Sequence, residues 1–271
     1  MLRRPDTARC CGWGLALLTL CACGTTRAGL RWGETATLTP SGATLARAAR
    51  EAALDPLTWV PLAGAALLSI DDLDEGLSDW AREHTPVFGS QEKAQDASDR
   101  LRGIAQGTWY ASMLLTPSGD EPGEWLLYKA EGALVEGTAV FVAHQLTFGL
   151  KHLVERERPD GTDLESFPSG YATSAASFTT LTGRNVDTLD LPEGARWALH
   201  GGLIALSAGT SWARVEGGKH YPTDVLFGAG LANFVVSFIH DAFLGSAAEP
   251  RVTASADPQG HAWSVSLSWS R

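Results

Sequence analysis

Residues 166–175 read SFPSGYATSA. Pro168, Ser169 and Gly170 are turn formers set directly before ATSAASFTTLTGRN at 172–185, which reads as a helix. The chain therefore turns here and starts a helix whose first N–H groups lack intrahelical partners. Upstream, EWLLYKAEGALVEGTAVFVAHQLTFGLKHLVERER at 124–158 keeps a helical pattern for about nine turns and stops at Pro159. Downstream, 192–218 and 222–245 read as two more helices, the second with Pro222 and Asp224 in its first turn.

The same pattern extends toward the N-terminus. ATLARAAREAALDP (43–56), LTWVPLAGAALLSIDDLD (57–74), LSDWAREHTP (77–86) and the run 91–115 are further helical segments. RVTASADPQGHAWSVSLSWS (251–270) instead alternates apolar and polar residues around DPQG, which predicts a β-hairpin. The expected fold is an all-α helical bundle with a short C-terminal β-hairpin. There is no internal repeat. Glu136, His144, Asn233, His240 and Asp241 interrupt the most apolar stretches, which favours a soluble or surface-bound bundle over a polytopic membrane protein.

Hydrophobic residues are 44% of the 271 and charged residues 19%, enough apolar material for one sizeable core. The formal net charge of −10 argues against a general nucleic-acid partner, which needs a basic face. Arg3, Arg4 and Arg9 precede the short apolar run CGWGLALLTLCA, an export-signal pattern too short to span a bilayer. Leu20 and Ala22 before Cys23 resemble the lipobox of bacterial lipoproteins, with Cys23 as the lipidated residue. All four cysteines lie in this stretch, so a chain processed at Cys23 has no partner thiol for a disulfide. The expected organisation is a lipoprotein-type signal at 1–22, a Thr/Gly/Ser-rich tether at 23–42, a helical domain at 43–245 and a hairpin extension at 246–271. The expected location is exported: the periplasmic face of a bacterial membrane, as an outer-membrane lipoprotein.

Three stretches carry chemistry. KHLVERERP places Lys151 and Arg158 before Pro159; PSG places Ser169 and Gly170 at a helix start; ARVEGGKHYPTD places Arg214, His220 and Asp224. Together they are a kit for a tetrahedral oxyanion. The arginines offer planar forks, the lysine a point charge, and Ser169 a hydroxyl beside free helix N–H groups. His220 is a candidate nucleophile or acid–base. Asp224, four residues on, is placed to accept its Nδ1 proton and leave Nε2 unprotonated.

The order K-x6-R-P, P-S-G, R-x5-H-x3-D resembles the signature of the type 2 phosphatidic acid phosphatase superfamily, which also includes bacterial nonspecific acid phosphatases and vanadium haloperoxidases. The resemblance covers residues 151–224 and implies a helical bundle of the acid phosphatase/haloperoxidase type. It implies that Lys151, Arg158 and Arg214 bind phosphoryl oxygens and that Ser169 and Gly170 add a hydroxyl and an N–H. His220 would attack phosphorus to form a phosphohistidine, and Asp224 would orient it. No metal ion or other cofactor is expected, because the cations do the charge work. The implied partner is a phosphorylated lipid or small phosphate ester, met at a membrane surface through the lipid anchor.

Two positions depart from the family pattern. Ala213 replaces a common serine. Tyr171 replaces the histidine of P-S-G-H, which protonates the leaving oxygen. A neutral phenol is a poorer acid than a histidinium, so three outcomes are open for the reaction. Tyr171, or water, acts as a weak acid on activated esters or diphosphates; His144 or His152 substitutes; or hydrolysis is lost and the pocket binds phosphate-bearing lipids. Retention of both His220 and Asp224 favours a phosphatase. A vanadate-dependent haloperoxidase ranks last, because that chemistry also relies on the missing histidine. His84, His200, His240 and His261 read as structural or surface residues, DDLDE at 71–75 as a solvated turn, and Arg184 as an extension of the basic pocket.

Overall fold

The computed structural model describes residues 24–27 and 29–245, together with the backbone of 251–256 and 263–268. The helices in chain order are α1 (Gly42–Leu54), α2 (Pro56–Leu68), α3 (Leu73–His84), α4 (Gln91–Leu115), α5 (Pro122–Val154), α6 (Gly170–Thr188), α7 (Glu193–Glu216) and α8 (Pro222–His240). A π-helical turn, Asp241–Gly245, extends α8. Strands β1 (Arg251–Ala256) and β2 (Trp263–Ser268) pair antiparallel, with Arg251 opposite Ser268 and Ala256 opposite Trp263. The signal at 1–22, Cys23 and the turn joining the strands lie outside the described residues.

Local chemistry sets the helix boundaries. Ser41, Asp55, Ser90 and Ser169 each accept a first-turn N–H with the side chain, capping α1, α2, α4 and α6. Pro56 opens α2 directly behind the Asp55 cap, so α1 and α2 meet with no loop between them.

Helix α6 is the centre of the bundle and is buried on nearly every side. Ala105 and Trp109 of α4, Ala139 and Ala143 of α5, Phe178 and Leu181 of α6, and Val235 and Val236 of α8 form the main core. Helices α6 and α8 run parallel: the Ser169 N–H donates to the Asp224 carbonyl at their starts (3.0 Å), and Thr180 bonds Asn233 further along (2.7 Å). Gly228 permits this approach, since a Cβ there would sit 2.9 Å from the Ser169 carbonyl oxygen. The starts of α6 and α8 and the ends of α5 and α7 therefore gather at one end of the bundle.

Three expectations are corrected. Helix α5 stops at Val154, before Pro159, because Glu155 takes a left-handed conformation (φ 48°) and returns its N–H to the Lys151 carbonyl. Arg156 and Arg158 are thereby freed into a loop. Part of the stretch read as a tether is docked: Trp32 is 4% exposed and its ring fills the space left by Gly132, while Thr35 and Thr37 bond the backbone of Leu244 and Phe243. The acidic stretch 71–75 is not simply solvated, because Asp74 is buried against the start of α8.

Two helical stretches, Pro122–Val154 and Pro222–Gly245, are long and apolar enough to cross a membrane by length and composition. Glu136, Asn233, His240 and Asp241, which break the apolar pattern in sequence, all turn into the protein. The outward surface of α5 is left with Leu126, Leu127, Leu134, Phe141, Phe148 and Leu153 exposed. The segment around α8 is mostly covered by its neighbours.

Candidate active site

Lys151 stands in the last turn of α5 and donates to the Glu165 carbonyl. Burial and the Arg158 charge lower its pKa. Arg158, in the loop after α5, bonds Asp163 through Nε (2.5 Å) and the Lys219 carbonyl through Nη1 (3.2 Å). Arg214 lies in the last turn of α7; it is 8% exposed, donates from Nη1 to the Ser98 hydroxyl (3.2 Å), and keeps a buried Nε without a hydrogen-bond partner among the described residues. The N–H groups of Lys219 and His220 both return to the Arg214 carbonyl (3.0 and 3.3 Å), so a tight turn sets the histidine beside the guanidinium. Ser169 caps α6 with its hydroxyl (3.4 Å to the Ala172 N–H), and Gly170 begins that helix. A Gly170 N–H has no carbonyl within its own helix to meet, which suits an anion.

His220 is 2% exposed. Its Nδ1 lies 2.6 Å from the Ser166 carbonyl, which accepts only, so Nδ1 carries the proton and Nε2 the lone pair. Burial pushes the imidazole pKa down to about 4; Asp224 opposes this, and the Arg214 and Arg158 charges add to it. The ring is therefore neutral at pH 7.

The expected direct Asp224–His220 bond is corrected. Nδ1 is 3.8 Å from Asp224 Oδ2, and the Ser166 carbonyl orients the ring instead. Asp224 acts one step back: it accepts from the Ser166 hydroxyl (2.5 Å), the Tyr221 N–H (2.8 Å) and Arg156 Nη1 (2.8 Å). Burial works to raise its pKa, but His220, Arg156 and the Ser166 hydroxyl outweigh that and hold it below the usual carboxylate range. Arg156 also bonds Asp74 (2.8 Å), and Asp74 caps α8 through the Thr223 N–H (2.8 Å).

Tyr171, expected as a weak acid, has its hydroxyl proton directed at Asp99 Oδ1 on α4 (2.5 Å). That bond, with burial, raises the phenol pKa. The other histidines do not take its place. His144 is held between the Val140 carbonyl and the Ser174 hydroxyl, each at 2.8 Å, and His152 is exposed with its ring edge against Phe148. Arg184 pairs with Asp241 beyond the far end of α8, away from the basic cup. His200 pairs with Asp187 (2.9 Å) and His240 with Asp241 (3.1 Å).

Lys151, Arg158, Ser169, Gly170, Arg214, His220 and Asp224 thus share one end of the bundle, where burial strengthens the interactions between charges. Arg156, Asp74, Ser166 and Asp99 were missed from sequence. Arg156 lies two residues before Arg158 and Ser166 opens the turn at 166–175, but their partners are distant in the chain.

Residues 132–245 match the profile of the PAP2 superfamily, a span containing every one of these phosphate-site candidates. A decaprenylphosphoryl-5-phosphoribose phosphatase of Mycobacterium tuberculosis is 33% identical over 115 residues, covering 39% of this chain and 58% of that protein. The protein of the same name from Mycolicibacterium smegmatis is 30% identical over 145 residues, covering 45% of this chain and 72% of its own length. The chain belongs to the PAP2 superfamily, as the spacing of its motifs implied. It spans somewhat more than half of the Mycobacterium tuberculosis relative's length. A transmembrane PAP2 type phosphatidylglycerolphosphate phosphatase from Bacillus subtilis superposes with a TM-score of 0.48 at 21% identity, over 68% of this chain and 92% of its own.

Proposed function

We propose that the protein is a phosphatase that cleaves a phosphomonoester on a lipid-linked substrate through a phosphohistidine. The observation that carries this reading is His220: a buried, neutral imidazole with Nδ1–H fixed on a carbonyl and Nε2 free to attack. Lys151, Arg158 and Arg214 supply the positive field for the phosphoryl oxygens. In the first step a His220 Nε2–P bond forms as the P–O ester bond breaks, and the leaving oxygen takes a proton from water. In the second, water attacks phosphorus, the N–P bond breaks, and phosphate leaves. The relatives' names point to a phosphate carried on a polyprenyl-linked sugar. A lipid anchor at Cys23 and the apolar outer face of α5 would hold the domain against the membrane on the periplasmic side.

The test is phosphoenzyme trapping with a radiolabelled polyprenyl phosphosugar and with simple aryl phosphates, without added metal. Acid-labile label on the wild type and none on His220→Ala supports the reading. One observation favours a second reading, a phosphate-lipid binding module: the Tyr171 proton is committed to Asp99. Phosphate binding with no label and no turnover on any ester would establish that alternative.

A further inference from the structure

The ring of Tyr171 sits among charges that its expected role as an acid does not use. The Arg214 guanidinium carbon lies 4.2 Å from the ring centroid and that of Arg102 lies 5.0 Å away, both within cation–π reach. The hydroxyl at the far end of the same ring donates to Asp99 at 2.5 Å. Helix α4 thus supplies Asp99 and Arg102 around Tyr171, and Ser98 beneath Arg214.

Arg214 needs such support. Among the described residues its side chain hydrogen-bonds only the Ser98 hydroxyl, from Nη1, and its buried Nε finds no partner. An arginine in that state is aimed by what packs on its planar face. A flat aromatic ring, fixed at one end by the backbone of α6 and at the other by Asp99, is a stiff surface for that purpose. The Asp99 charge also faces Arg214 and partly offsets its repulsion with Arg158.

Resting on the phosphatase reading, we propose that Tyr171 is a positioning residue: its ring, anchored by Asp99, holds Arg214 so that the guanidinium meets the phosphoryl group. This site then aligns its arginine at the position where the family pattern has a proton donor.

Two readouts separate this from an acid role. The first is kcat/KM for a series of aryl and alkyl phosphomonoesters of graded leaving-group pKa. The second is binding of orthovanadate, which needs the anion cup and no leaving group. Tyr171→Ala is expected to lower kcat/KM about tenfold on every ester, with an unchanged dependence on leaving-group pKa, and to weaken vanadate by a similar factor. Tyr171→Phe keeps the ring but frees it from Asp99, so it should fall between wild type and the alanine variant on both readouts, again with an unchanged dependence on leaving-group pKa. In an Arg214→Ala background, Tyr171→Ala should cost nothing further.

A loss of about 100-fold or more in Tyr171→Phe confined to alkyl esters would mark Tyr171 as the acid and overturn the proposal. Unchanged vanadate affinity in Tyr171→Ala would overturn it as well. If the wild type turns over no ester, the phosphatase reading fails by itself, and the vanadate comparison still decides what Tyr171 does. Should Tyr171→Ala fail to fold, Asp99→Ala tests the anchor: vanadate weakened as the freed ring loses its hold supports the proposal, and wild-type vanadate affinity refutes it.

Discussion

Removing Arg156 is expected to be the most damaging single change near the site, although this residue reaches no substrate atom in the proposed reaction. Its guanidinium bonds Asp224 and Asp74, both at 2.8 Å, and the Thr223 hydroxyl at 2.8 Å, with its carbon 3.9 Å from the Tyr221 ring centroid. Both carboxylates are buried. Arg156→Ala would leave two unpaired charges where water does not easily reach, a situation that costs roughly 3–5 kcal/mol when fully buried. The arginine side chain is 28% exposed, so water in the vacated space recovers part of this and about 2–4 kcal/mol is expected. Urea unfolding at pH 7 measures it directly. The effect should also depend on pH with a definite sign. In the wild type the depressed Asp224 pKa gives stability that is present above the unfolded value, near 3.9, and is lost as pH falls through the folded one. In the variant burial acts with less opposition and the carboxyl protonates more easily, so the penalty is relieved on acidification. The difference between the two proteins should shrink between pH 7 and about pH 4. A loss under about 1 kcal/mol at pH 7, or a difference that grows on acidification, would refute the account of Arg156 as the clamp on these carboxylates.

The remaining expectations concern the nucleophile, the packing beneath it and the anchor. Because burial holds His220 neutral down to about pH 4, the acid limb of kcat/KM due to this residue should fall near pH 4; a histidine limb near 6.5 that disappears in His220→Ala would contradict that environment. Gly228→Ala puts a methyl 2.9 Å from the Ser169 carbonyl oxygen and 3.1 Å from the Thr173 hydroxyl. It should lower stability by about 1–3 kcal/mol and reduce turnover by shifting the start of α6, whereas an unchanged melting temperature would show that the helices can part freely. Cys23→Ser should abolish incorporation of labelled palmitate, and persistent labelling would place the anchor elsewhere.

The cationic cup was legible because its members come in short runs at fixed spacing. A proline ends KHLVERERP, a Pro-Ser-Gly turn starts α6, and Pro222 with Asp224 starts α8; each feature acts over one or two turns of chain. The true end of α5 was not legible. Nothing local to Glu155 demands a left-handed residue, and the loop it releases is held by Arg156 on Asp74, 82 residues away. The docking of Trp32 was missed for the same reason, since its space is made by Gly132 in another helix. The segments 122–154 and 222–245 read as interrupted by polar residues, because sequence does not say which side of a helix meets the protein.

Sequence by itself determined the helical class, the family, and the set of cationic and polar residues that gather at the candidate site, since caps, breakers, apolar periodicity and motif spacing act over a few residues. Tertiary structure alone decided what those residues face. It gave the His220 proton to the Ser166 carbonyl, moved Asp224 one bond further back, and turned the Tyr171 hydroxyl to Asp99. Hydrogen bonds and ring contacts form between groups that folding brings within a few ångströms, and their partners here lie 54, 58 and 72 positions apart along the chain.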